Sequence, residues 1–276
     1  MKGLYRPLYN LLTAGETVTS LEHTIRNLRR KNVYAIADYI KEYSKTNEEI
    51  RANDAEYKKL AHIQDLNYIA LKPSSFNFNS EYIYPLVDHL VRHKKKILID
   101  AENVEHQEKI QSITNECIQR FNTHTVSIYK TYQMYRRDSF ATLQHDMRIF
   151  PRLGVKLVRG AYWNQDKLTG ALFLKKSDTD TAFRDAMILA LANSQHHTMV
   201  CTHNTKDIHF LIDSRVAKQH IVHASLYGFL PELTNTIVRA NIETYKYLPY
   251  GKMEDAFPYL FRRVLENPYI LRYYFI

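Results

Sequence analysis

Eight short apolar runs recur along the chain, each rich in β-branched and aromatic residues and each followed by a longer stretch of different character. They read NVYAIADYI from 32, NYIALKP from 67, KILIDAE from 96, TVSIYKTYQ from 125, GVKLVRG from 154, TMVCTHN from 198, HIVHASLYG from 220 and ETYKYLPYG from 243. The stretches between them carry helical patterns. In NEEIRANDAEYKKLAHIQDL, Ile50, Tyr57, Leu60 and Ile63 fall at helical spacing, and DAFPYLFRRVLEN near the C-terminus is a second case. Eight strand–helix units in about 250 residues have the length and rhythm of a (β/α)8 barrel. A doubly wound sheet is the alternative, but no Gly-x-Gly-x-x-Gly occurs and the chain has only 7 glycines. The expectation is an α/β chain with one TIM-type barrel domain over residues 1–276.

In such a barrel the chemistry sits at the C-terminal ends of the strands. Read off in order, those ends are Asp38, Lys72, Asp100, Gln133, Arg159, His203, Leu226 and Tyr247. All but Leu226 are polar or ionisable, which a purely structural barrel would not need at one face. Within VKLVRGAYW, Lys156 and Arg159 flank the end of an otherwise apolar strand. Burying such cations without an anionic partner is costly, so either that end meets water or something negative is held there.

Composition narrows the classes. Hydrophobic residues make up 45% of the chain, which argues against disorder. No apolar run approaches the ~18 residues that would span a membrane. MKGLYRPLYNLLTAGET has too short an apolar patch for a secretory signal, and its few Ser and Arg residues and Glu16 do not suit a mitochondrial presequence. Cys117 and Cys201 cannot form a disulfide framework, so the compartment is reducing or the protein is indifferent to redox. The net charge of +9 comes from short, scattered basic runs such as Arg29-Arg30-Lys31 and Lys94-Lys95-Lys96. No nucleic-acid partner is expected from it.

Each constellation carries a plain reading beside the functional one. Arg262, Arg263 and Glu266 in FRRVLEN fit a solvated helix face with ion pairs, or a clamp in which Glu266 steadies an arginine that grips a carboxylate. Asp100, just past KILI, fits a loop or cap residue, or a partner for Lys72 or an arginine. Lys72 fits a surface lysine, or a positive charge facing an acidic ligand. His203 fits a hydrogen-bonded structural residue as well as a catalyst. No His-x-x-x-His spacing stands out on a clear helix and no nucleophilic triad is recognisable, so no metal is expected. From the residues alone, this is a barrel enzyme with a cationic mouth that acts on something anionic.

Taken together, AGET at 14–17, LIDAE, TYQMY, VKLVRGAYW, TDTAF, CTHN, SLYG, YLPYG and FRRVLEN follow the order of motifs in the proline dehydrogenase family. The chain resembles that family over nearly its whole length. VKLVRGAYW and the terminal Arg-Arg-x-x-Glu-Asn are the most specific elements. Lys156 and TYQMY make it more similar to the eukaryotic, monofunctional branch.

The resemblance implies a distorted (β/α)8 barrel that binds FAD non-covalently and oxidises L-proline to Δ1-pyrroline-5-carboxylate. Hydride passes from proline C5 to flavin N5 and electrons go on to quinone, which would bring peripheral membrane contact. It also implies a mitochondrial setting for a eukaryotic member and a cytoplasmic one otherwise. With no aldehyde dehydrogenase module in this sequence, the product is expected to be handled elsewhere. By resemblance, Lys156, Asp100 and Tyr247 carry the catalytic roles. Lys72, Tyr162, Leu226, Tyr247, Arg262, Arg263 and Glu266 bind the substrate. Gln133, Lys156, Arg159, Gly160, Lys176, Thr202, His203 and Asn204 bind the cofactor. Four positions depart from the family pattern: Ser225, Phe183, Phe229 and Leu174. Hydroxyproline dehydrogenation is the alternative within the family, disfavoured by the bulk of Tyr247. A non-catalytic anion-binding barrel is the alternative outside it.

Overall fold

The strands are near-continuous in apolar residues because both of their faces are covered. In the computed structural model, which describes residues 2–214, 220–229 and 231–266, all eight are parallel and close into a barrel in chain order. Two helices, α1 (Lys2–Leu12) and α2 (Val18–Arg29), precede β1 (Tyr34–Tyr39). There follow α3 (Asn47–Leu60), β2 (Tyr68–Leu71), α4 (Ser80–Arg92), β3 (Lys96–Ile99), α5 (Gln107–Phe121) and β4 (Ile128–Gln133). Next come α6 (Ser139–Ile149), β5 (Gly154–Val158), α7 (Trp163–Asp166), α8 (Lys176–Leu191), β6 (His197–Cys201) and α9 (Thr205–Asp213). The last elements are β7 (Ile221–Leu226), α10 (Pro231–Arg239), β8 (Thr244–Tyr250) and α11 (Phe257–Glu266). Seven of the strands lie within the runs read from the sequence, and β6 starts at His197, one residue ahead of its run. The barrel closes through β1 and β8, with Ile36 opposite Tyr247.

The period of two along each strand separates the residues into two layers. Ile36, Tyr68, Ala70, Leu98, Tyr129, Met199, Val222, Ala224, Tyr245 and Tyr247 fill the barrel interior. Their neighbours, including Ala35, Ala37, Ile69, Leu71, Ile97, Ile99, Val155 and Leu157, pack outward against the helices. Tyr68 meets Tyr129 and Tyr245 edge-on, with centroids 5.4 and 4.8 Å apart, near the strands' N-terminal ends. Lys156 lies between outward-facing Val155 and Leu157, so the same alternation points it into the barrel.

Local signals set the helix ends. Thr17 with Ser20 and Thr46 with Glu49 form capping boxes at the starts of α2 and α3. The helical pattern from Asn47 suggested a helix running on past Ile63, but α3 stops at Leu60. Ile63 is still buried. The carbonyls of Ile63 and Leu66 are taken instead by the Lys95 ammonium, at 2.6 and 2.7 Å. Among the described residues no helix is long and apolar enough to cross a membrane.

Candidate active site

A cavity of about 590 Å³ opens at the C-terminal ends of the strands, and all eight strand-end residues named from the sequence line it. So do Lys156, Gly160, Tyr162, Lys176, Thr202, Asn204, Arg262 and Arg263. Of the predicted site residues only Glu266 is unplaced, because its side chain lies outside the described residues. Six basic side chains face this cavity against three carboxylates, Asp38, Glu42 and Asp100.

Strand register decides which charges meet. Asp38 of β1 is level with Ala70 of β2, so Lys72, two residues on, projects from the same face as Ala70. Its ammonium hydrogen-bonds the Asp38 carboxylate, and it also donates to the Tyr39 carbonyl at 3.1 Å. Burial pulls the Lys72 pKa down, but Asp38 more than offsets this, so the lysine stays protonated. Lys156 crosses the barrel interior to donate to Asp100 Oδ1 at 2.6 Å. The Tyr247 hydroxyl approaches the same oxygen at 3.4 Å, and Lys156 Nζ lies 4.8 Å from the centre of the Tyr247 ring. The partner expected for Asp100 was Lys72 or an arginine. It is Lys156, because Lys72 is already taken by the strand next to it.

Above the barrel, α11 brings Arg262 and Arg263 to the cavity. Arg262 Nη2 bridges both oxygens of Glu42, at 2.8 and 3.0 Å, and its guanidinium lies 5.3 Å from the Tyr162 ring centre. Burial holds the Tyr162 hydroxyl neutral, and Glu42 reinforces this. Arg263 lies 5.2 Å from the ring centre of Tyr259. Glu42, from the β1–α3 connection, thus supplies a steadying carboxylate for Arg262; the Glu266 side chain expected in that role lies outside the described residues.

On the other side, Arg159 donates to Asp180 at 2.9 and 3.1 Å, to Asp207 at 2.5 Å and to Thr202 Oγ1 at 3.0 Å. Its guanidinium sits 4.5 Å from the centre of the Phe183 ring, so this departure from the family pattern supplies the flat face under the arginine. Lys176 is exposed and pairs with Asp180 at 2.6 Å. Asn204 caps α9 by accepting from the backbone of Lys206 and Asp207, at 3.0 and 3.4 Å. Beyond Arg159 and Asn204 a second groove of about 330 Å³ is lined by Ser177, Thr181, Arg184 and Lys206.

The remaining predicted residues have structural partners as well. His203 accepts the Leu226 N–H on Nε2 at 2.9 Å, which places its proton on Nδ1. Burial, reinforced by Lys246, pushes its pKa down to about 3. Gln133 donates to the Glu102 carbonyl at 2.8 Å and accepts from the Ala161 N–H at 3.3 Å. Gly160 has φ +129°, and a Cβ there would stand 2.4 Å from the Tyr135 ring. Glycine is thus required by the fold itself at this strand end. Ser225 and Phe229 both accept from Lys246, at 2.8 Å each, and Phe229 packs on His203 with centroids 4.8 Å apart. Burial brings Lys246 down to about 8. The fourth departure, Leu174, is 72% exposed and does not line the cavity.

Sequence reasoning gave no role to Asp38, Glu42, Glu102, Asp180 or Asp207. Asp38 was visible as a strand end. Glu42 carried no signal, since its partner lies 220 residues away. Glu102 is fully buried behind the cavity and accepts the Ser74 N–H at 2.9 Å. Burial pushes its carboxyl up to about 7.

The profile of the family described as proline dehydrogenase matches residues 21–271. The mitochondrial proline dehydrogenase 1 of Caenorhabditis elegans is 28% identical over 68% of this chain, which spans only 34% of that protein. Proline dehydrogenase 1 of Bacillus subtilis (strain 168) is also 28% identical, over 92% of this chain and 85% of its own length. Animal and bacterial relatives thus stand at the same identity. The crystal structure of proline utilization A (PutA) from Bdellovibrio bacteriovorus superposes with a TM-score of 0.82 at 18% identity, covering 95% of this chain and 33% of that one. That likeness is of fold. The family match over most of the sequence, on a closed parallel barrel with this cavity at its C-terminal face, means that the chain belongs to the proline dehydrogenase family.

Proposed function

We propose that this protein is a flavoenzyme that binds FAD non-covalently, oxidises L-proline to Δ1-pyrroline-5-carboxylate and passes the electrons to a quinone. The observation that carries this reading is the meeting of Arg262 and Arg263, the Lys156–Asp100 pair and Tyr247 in one cavity. A small amino acid with a carboxylate at one end and an apolar ring at the other suits such a lining. Arg262 and Arg263 take the carboxylate, with Glu42 fixing the Arg262 guanidinium for a two-pronged grip. Glu266 is assigned to the same support. Tyr247, Leu226 and Tyr162 line the space for the pyrrolidine ring. Lys72, through its pair with Asp38, adds a fixed dipole beneath the site. Asp100 orients Lys156 and, with it, the Tyr247 hydroxyl.

The donor set fits a dinucleotide. The cavity and the second groove share Arg159 and Asn204, so one elongated ligand can occupy both. The first N–H groups of α8 have no side-chain cap, and Lys176 and Arg159 stand beside that helix start. Such an arrangement favours a pyrophosphate. Lys156, Gln133, Arg159 and Gly160 would hold the ring end of FAD, and Lys176, Thr202, His203 and Asn204 the phosphates and adenine. When bound, the flavin would supply the two-electron acceptor for the carbon beside the proline nitrogen. The protein's part is to orient the substrate, exclude water and hold the lining charges in place. Quinone as acceptor implies contact with a membrane surface, for which the +9 net charge is suited.

Steady-state oxidation of L-proline with an artificial acceptor tests the assignment. Arg262→Met should lower kcat/KM by about 1.5–3 kcal/mol in transition-state terms, the worth of hydrogen bonds to charged groups. Unchanged turnover would remove the clamp. With Tyr247 against the ring, 4-hydroxyproline should be the poorer substrate. A preference for it would favour the hydroxyproline alternative.

A further inference from the structure

The connections at the N-terminal ends of the strands, opposite the cavity, bring three histidines together. His62 lies between α3 and β2, while His89 is in the last turn of α4 and His93 caps that helix. One ring nitrogen from each lies within 4.8 Å of the others. We infer that His62, His89 and His93 form a binding site for a divalent transition-metal ion of the zinc type.

The geometry has the features of a ligand set. His89 and His93 are one helical turn apart, so α4 presents both on the same face. His93 Nδ1 is 2.8 Å from the His89 carbonyl oxygen, to which it donates. That bond fixes the tautomer and leaves Nε2 with its lone pair, as outer-shell bonds do for metal-binding histidines. His89 Nε2 is buried and has no hydrogen-bond partner, the position a metal would satisfy. The His93 ring centre lies 5.1 Å from that of His62 and 4.4 Å from that of His89.

The third ligand is held in place without the ion. Lys95, two residues after His93, donates to the carbonyls of Ile63 and Leu66, fastening the turn that carries His62 against the end of α4. The nearby ammonium of Lys58 is matched by Asp54 at 2.6 Å. Three imidazoles and no carboxylate suit zinc, cobalt, nickel or copper rather than magnesium or calcium, and leave a fourth position for water. An ion there would tie the ends of α3 and α4 together. The His89-x-x-x-His93 spacing is present in the sequence at the end of α4, so the reading that no such spacing stands out on a clear helix missed it.

Calorimetric titration of tag-free protein with Zn²⁺, alongside thermal unfolding, tests the site. Wild type should take up one equivalent tightly and unfold at a higher temperature when loaded. His62→Ala and His93→Ala should each weaken binding by more than the roughly 10–100-fold that loss of an outer-shell partner costs. L-proline oxidation by the metal-free variants should match that of metal-free wild type, since the cavity is at the other end of the barrel. The chain has 13 histidines, so the decisive control is the His62→Ala/His93→Ala double variant. Binding of unchanged affinity in that variant, or no saturable binding by wild type, would overturn the inference.

Discussion

Three of the cations that the barrel draws out of water at the cavity meet a carboxylate from another element. Lys72 meets Asp38, Lys156 meets Asp100 and Arg262 meets Glu42. Removing one member of a buried pair typically costs about 3–5 kcal/mol, because the other is left uncompensated. Glu102, by contrast, is a buried carboxyl with only the Ser74 N–H on one oxygen and no partner on the other. Burial is the main cause of its rise to about 7, with Glu42 adding to it and Lys72 opposing; Tyr43 also faces it. The folded protein therefore keeps a proton that the unfolded chain gives up at lower pH. The stability this group contributes is full below its ordinary value of 4.5 and is lost as pH rises through about 7. Glu102→Gln, which cannot ionise, should melt above wild type at about pH 8 and show little gain near pH 4.5. A melting difference that did not change with pH would contradict this.

At the scale of elements, the turn after β5 is the most constrained point of the site. Gly160 combines φ +129° with the Tyr135 ring in the space a Cβ would need. Gly160→Ala should destabilise the protein by about 1–3 kcal/mol, as expected for strained backbone, with a lower Tm as the readout. An unchanged Tm would mean that the turn is looser than described. The strands themselves were legible in the sequence, because a parallel strand buried on both faces reads as a continuous apolar run. Their polar ends were legible for the same reason, as breaks in those runs. The pairings were not, because they are set by register and closure. Lys72 and Asp38 are 34 residues apart, Lys156 and Asp100 are 56, and Arg262 and Glu42 are 220. Arg159 draws its carboxylates from two helices, α8 and α9, which flank β6 and are set side by side by the parallel pairing of β5, β6 and β7. The end of α3 was misread because Lys95, from beyond the next helix, supplies donors that periodicity does not reveal.

For the whole molecule, the barrel separates two chemistries. Tyr68, Tyr129 and Tyr245 close the interior near the strands' N-terminal ends, and the ionisable groups collect at the C-terminal ends. The family match, the cavity lined by all eight strand ends and the polar groove continuing from it support the proposed function, a flavin-dependent oxidation of L-proline. The most direct test is an absorption spectrum of the purified protein supplied with FAD, recorded before and after anaerobic addition of L-proline. A bound flavin whose visible bands bleach on addition would be the result expected here. A protein that takes up no flavin, or whose bound flavin is unchanged by L-proline, would contradict it.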